Sequence, residues 1–100
     1  MDTYLDYNAT TPLRPEVLAA MSAAAGLVGN ASSVHRFGRL ARRAVEDARE
    51  SVAALAGAAP ANVIFTSGAT EANNLALRGS GRPVLASAVE HESVLAAVDD

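Results

Sequence analysis

Apolar residues in this chain recur first at helical spacing and later in short unbroken runs. From Phe37 onward, Leu40, Ala41, Ala44, Val45, Ala48, Val52 and Leu55 fall on one side of a 3.6-residue period. That pattern predicts a long helix with one buried stripe and a polar face carrying Arg39, Arg43, Asp47 and Glu50. Arg43 and Asp47 are four apart and can pair there, worth about 0.2–0.5 kcal/mol when exposed. Ser32 or Ser33 is the expected N-cap, and Gly57 the C-terminal stop. Upstream, Val17, Leu18 and Met21 share a face of a shorter helix running to about Ala25. Pro15 stands at its first position and Glu16 favours its N-terminal end. Gly26 to Ser33 reads as a loop, with Gly29-Asn30 as its turn.

Past Gly57 the period changes. Asn62-Val63-Ile64-Phe65-Thr66 is a continuous β-branched and aromatic run, which predicts a strand buried on both faces. Ser67-Gly68 turns the chain, Ala69 to Arg78 reads as a helix closed by Gly79, and Pro83 to Ser87 as a second strand. Glu92 to Val98 begins another helix. This alternation implies an α/β domain with parallel strands. Before all of it, Thr3 to Asp6 is a short extended segment leading into a polar bend, Tyr7 to Pro12. Two strands make a poor sheet and the last helix has only about two turns, so the chain is expected to be part of a longer one.

Composition narrows the classes. Half of the 100 residues are apolar, many of them alanine, and only four are aromatic, which suits closely packed small side chains in one domain. The net charge of -3 is spread over interspersed acids and arginines. No basic stripe marks nucleic acid and no polybasic patch marks a membrane surface. The uncharged run from Val17 to His35 is broken by Gly26, Gly29, Asn30, Ser32 and Ser33, so it reads as helix plus loop and not as a span. The first residues show no basic or apolar leader pattern, and a cytoplasmic location is expected. Cysteine is absent, as is lysine: all eight cations are arginines. Disulfides and thiolate metal sites are therefore excluded within these residues.

Three segments could carry chemistry. Thr66-Ser67-Gly68-Ala69-Thr70-Glu71 spans a strand-turn-helix junction, where unpaired amides at a helix N-terminus suit a phosphate. Ser67 and Thr70 add hydroxyl donors. A capped turn with no ligand explains the same residues, and the Walker A and G-x-G-x-x-G spacings are absent. Glu90-His91-Glu92 follows the second strand and places an imidazole at the same sheet edge. That ring could act as a general acid or base or stack on an aromatic cofactor; a solvated histidine between glutamates is the plainer reading. No metal site is expected, since only His35 and scattered carboxylates could join His91. Asn30 to Gly38 reads as a turn with a serine cap, and Asn8-Ala9-Thr10-Thr11-Pro12 as a polar bend.

In combination and order, these segments are more specific. Tyr4 to Pro12, Gly29 to His35, Phe65-Thr66-Ser67-Gly68-Ala69-Thr70-Glu71-Ala72-Asn73-Asn74 and Glu90-His91-Glu92-Ser93-Val94 together resemble the start of cysteine desulfurases, the sulfur-donating branch of the class V aminotransferases. Nearly the whole chain takes part. The resemblance implies that the Ala69 backbone and the Thr70 backbone and hydroxyl hold the phosphate of pyridoxal 5'-phosphate. It also implies that His91 stacks on the pyridine ring and assists proton transfer. Asn8 and Thr10 would line the substrate mouth. Ala31 stands where many relatives carry proline, and His35 is given no catalytic role.

The implied fold is that of the fold type I pyridoxal-phosphate enzymes, here a partial large domain with a mostly parallel sheet. Residues 1–13 would pack on a small domain and residues 14–100 begin the large, cofactor-binding one. Its first two strands are not sheet neighbours, so an isolated piece is expected to fold poorly. The implied activity converts L-cysteine to L-alanine and passes sulfur, as a persulfide, to a sulfur-acceptor or scaffold protein for iron–sulfur cluster assembly or thio-modification, in a homodimer. The cofactor-bearing lysine and the persulfide cysteine are not among these residues, so this segment alone is expected to be inactive. Rival readings are a selenocysteine lyase, a cysteine-sulfinate desulfinase or an aminotransferase of the same superfamily. A different-class rival is a non-catalytic phosphate-binding or scaffold protein.

Overall fold

A computed structural model describes residues 2–98, and these fall into two units, Met1–Asn62 and Val63–Asp100. The first unit holds α1 (Pro15–Ala25), α2 (Arg36–Ala56) and a single 3-10 turn, Pro60–Asn62. The second holds α3 (Ala69–Gly79) and α4 (Glu92–Val98).

Local rules account for most helix ends. Pro15 sits in the first turn of α1 and Glu16 follows it, while the Arg14 carbonyl accepts from the amides of Val17 (3.0 Å) and Leu18 (3.1 Å). Helix α2 closes on Gly57 at φ 66°, ψ 31°, a left-handed conformation that only glycine adopts without cost. The Ala58 amide then reaches the Ala53 carbonyl (2.9 Å) and the Gly57 amide the Ala54 carbonyl (3.3 Å), a Schellman closure.

Several expectations need correction. The N-cap of α2 is His35, whose Nδ1 accepts from the Gly38 amide at 3.3 Å; neither Ser32 nor Ser33 does this. On the polar face Arg49 pairs with Glu46 (3.1 Å), one helical turn from the expected Arg43–Asp47 pair, which does not form. Helix α3 runs through Gly79 and ends at Ser80. The Ser80 hydroxyl donates to the Leu77 carbonyl (2.9 Å), and the left-handed residue is Gly81 at φ +60°.

The largest departure concerns the strands. Among the described residues no strand forms: Asn62 ends the 3-10 turn, and neither 63–66 nor 83–87 is in a strand. A sheet needs several paired strands, and the expected parallel one is not formed by these residues. The apolar stripe of α2 is present but largely uncovered, and Gly38 and Ala53 are the buried positions of that helix. A helix stripe, like a strand face, needs a second layer to become core. No helix among the described residues is long and apolar enough to cross a membrane.

Candidate functional site

The turn before α3 is built from the residues the sequence singled out. Gly68 is the N-cap, in extended backbone and without a side chain to cap anything. The first helical bond runs from the Ala72 amide to the Gly68 carbonyl at 3.1 Å. The amides of Ala69, Thr70 and Glu71 precede it, so they have no helical acceptor. A serine or aspartate N-cap would occupy one of them; glycine leaves all three open.

Glu71, three residues into the helix, turns back along the chain. Its Oε2 accepts from the Ser67 amide (2.7 Å) and the Ser67 hydroxyl (2.5 Å). The hydroxyl bond first, and the amide bond second, hold the Glu71 carboxyl below its ordinary 4.5. The Thr66 hydroxyl donates to the Gly68 carbonyl (3.1 Å) and Asn74 Nδ2 to the Thr70 carbonyl (2.9 Å), so both flanks of the turn are tied. Three open amides, the Thr70 hydroxyl and the positive end of a helix dipole form a donor set that fits a phosphate group.

His91 occupies the equivalent position on α4. Its carbonyl accepts from the amides of Val94 (2.8 Å) and Leu95 (3.2 Å), and its Nδ1 accepts from the Ser93 amide (3.1 Å). The Ser93 hydroxyl lies 2.9 Å from the same nitrogen. Ser93 is buried, and its oxygen also receives Asn73 Nδ2 from α3 at 2.9 Å. Further along, Arg78 Nη2 of α3 donates to the Ala96 carbonyl of α4 at 3.1 Å.

These two links fix the direction of the pair. Asn73 meets Ser93 near the starts of the helices and Arg78 meets Ala96 near their ends, so α3 and α4 run the same way. Their N-terminal ends lie together, and Ala69 and Thr70 precede Asn73 by about one turn. Ala69, Thr70 and His91 therefore share one end of this unit. Asn8 and Thr10 belong to the other unit. There the Tyr4 hydroxyl reaches the carbonyl oxygens of Asp6 (2.7 Å) and Thr10 (3.2 Å), Tyr4 and Tyr7 meet edge to face at 5.4 Å, and the Thr11 hydroxyl donates to the Tyr7 carbonyl (3.3 Å). His35 is occupied as a helix cap.

A cleft lies elsewhere in this unit. It has a volume of about 510 Å³ and is lined by Leu77, Arg78, Arg82, Val84 and Val98. That is the C-terminal end of α3, a helix about 16 Å long, so the cleft is remote from the open amides. Asn73 and Ser93 lie within the family-like segments of the sequence, which by themselves assign neither residue a role. The signal that could have found Ser93 is its spacing two residues after a histidine at a helix start, where a cap meets its amide.

Residues 3–100 match the aminotransferase class-V family. An IscS-like cysteine desulfurase of Mycobacterium tuberculosis (strain ATCC 25618 / H37Rv) is 45% identical over 106 residues, covering 96% of this chain and 27% of the relative. Cysteine desulfurase IscS of Dictyoglomus turgidum (strain DSM 6724 / Z-1310) is 48% identical over 102 residues, covering 94% and 26%. Cysteine desulfurase IscS of Enterobacter sp. (strain 638) is 46% identical over 103 residues, covering 92% and 26%. The chain spans about a quarter of the length of these curated relatives.

Proposed function

Because this chain belongs to the aminotransferase class-V family, we propose that it is the cofactor-binding start of a pyridoxal-phosphate-dependent cysteine desulfurase. The observation that carries the reading is the shared end of α3 and α4, with three open amides beside one helix and a fixed imidazole capping the next. The names of the relatives favour desulfurase over the neighbouring activities of the superfamily.

Ala69 and Thr70 hold the phosphate through their amides and the Thr70 hydroxyl. His91 lies against the pyridine ring and moves a proton, and Asn8 and Thr10 border the substrate mouth. When bound, the cofactor supplies an electron sink that labilises bonds of the amino-acid substrate. In the net reaction the carbon–sulfur bond of L-cysteine breaks and a sulfur–sulfur bond forms on an enzyme thiolate. Carbon takes up the proton and leaves as L-alanine, and the persulfide passes to an acceptor protein. The lysine that anchors the cofactor and the thiolate come from outside these residues, which contain neither.

Residues 14–100 begin the large domain of a fold type I enzyme, and residues 1–13 pack on its small domain. The runs 62–66 and 83–87 enter a mostly parallel sheet completed by the rest of the polypeptide. The protein acts as a cytoplasmic homodimer.

The test uses the full-length protein that carries this segment. L-Cysteine should yield L-alanine and sulfide in equal amounts in the presence of a reducing thiol. Thr70→Ala should weaken binding of pyridoxal phosphate by about tenfold or more, the cost of a charge-assisted hydrogen bond. Amino transfer to a keto acid without sulfide would move the assignment to an aminotransferase. Failure to bind the cofactor at all would leave the non-catalytic reading.

A further inference from the structure

The bonds around Ser93 favour one tautomer of His91. A backbone amide can only donate, so the Ser93 N–H at 3.1 Å makes His91 Nδ1 an acceptor. The Ser93 hydroxyl at 2.9 Å adds to this. Asn73 Nδ2 donates to the Ser93 oxygen, which leaves the hydroxyl proton directed to the one acceptor beside it, His91 Nδ1. A neutral imidazole with Nδ1 accepting carries its hydrogen on Nε2. Nε2 has no hydrogen-bond partner among the described residues.

We infer that Asn73 and Ser93 are positioning residues for His91: they seal Nδ1, fix the ring at the start of α4 and leave Nε2 as the one nitrogen through which His91 exchanges a proton with a bound substrate. This rests on the proposed function for its chemistry, and on the hydrogen bonds alone for the tautomer. It also assigns a purpose to the Asn73–Ser93 link between α3 and α4. The helix that presents Ala69 and Thr70 to a phosphate is the helix that orients the imidazole. A shift of α3 would therefore disturb both contacts together.

The tautomer can be read directly, without turnover, in the full-length protein labelled with 15N-histidine. Long-range proton–nitrogen correlation should show neutral His91 with hydrogen on Nε2. Ser93→Ala and Asn73→Ala should each raise the ratio of the Nδ1–H to the Nε2–H form about fivefold to tenfold, the scale of one lost hydrogen bond. Ser93→Thr, which keeps the hydroxyl, should restore the parent ratio. In the holoenzyme, kcat should fall in the two alanine variants with the KM for L-cysteine little changed.

A parent His91 with its hydrogen on Nδ1 would overturn the inference. So would a tautomer ratio unmoved in both alanine variants of an enzyme that still turns over cysteine, since the function reading would then stand without it. If the ratio moves as expected, the positioning role holds. Absence of cofactor binding in that same protein would count against the function reading alone.

Discussion

Glu71 shows how one side chain can hold a turn open. Its carboxylate is occupied by Ser67 and so draws on neither Ala69 nor Thr70. Because folding lowers its pKa, its contribution to stability is present above the ordinary 4.5 and is lost as pH falls through the lower folded value. An NMR titration of the Glu71 side-chain carbonyl should give a midpoint below 4.5, and Ser67→Ala should move that midpoint upward. Gly38 teaches the opposite lesson, of a residue defined by what surrounds it. A Cβ there would collide with the Ser33 carbonyl and lie 2.6 Å from the Ser33 Cβ and 2.7 Å from the Asn30 carbonyl oxygen. Gly38→Ala should therefore destabilise the full-length protein by about 1–3 kcal/mol in a denaturant titration. Nothing in the sequence pattern marked Gly38, because the loop that closes on it comes from five to eight residues away.

At the scale of elements, caps explain more than periodicity does. Both histidines, His35 and His91, serve as N-caps through Nδ1, a role more often taken by serine, threonine, asparagine or aspartate. Helix α3 does the reverse, starting on a residue that cannot cap. This asymmetry predicts opposite effects from one substitution. Gly68→Asp places a carboxylate where it can accept from the Thr70 or Glu71 amide, and nothing lies within 4 Å to obstruct its Cβ. The apo full-length protein should gain a few tenths of a kcal/mol in thermal unfolding. Its affinity for pyridoxal phosphate should drop by at least about tenfold, since the new carboxylate competes for the amides and repels the phosphate. Equal affinity in parent and variant would remove these amides from the phosphate site.

For the whole molecule, apolar side chains stand exposed in each unit, Phe37, Leu40 and Leu55 in the first and Ile64, Leu75 and Leu85 in the second. Leu55, Leu85 and Val89 are each at least 90% exposed. Apolar surface on this scale seeks cover. Residues 1–100 expressed alone should scatter light and show no cooperative thermal transition, whereas the full-length protein should melt cooperatively; a sharp calorimetric peak from the segment would refute this. Local chemistry was enough to place the helices among the described residues, though not the start of α2 or the end of α3, and to read the Gly57 stop and the turn at Ser67-Gly68. Those features depend on residues within about four positions of one another, and the chain carries that information wherever it goes. The likeness of Ser67 to Glu71 and of Glu90 to Glu92 to a known family was legible for the same reason. What only tertiary structure decided was partnership. It set α3 and α4 in one direction, tied Asn73 to Ser93 and so His91 to the helix of Ala69 and Thr70, and formed no strand at 62–66 or 83–87 among the described residues. A strand, a buried stripe and a fixed imidazole each require a partner distant in sequence, and no local pattern specifies which residue arrives.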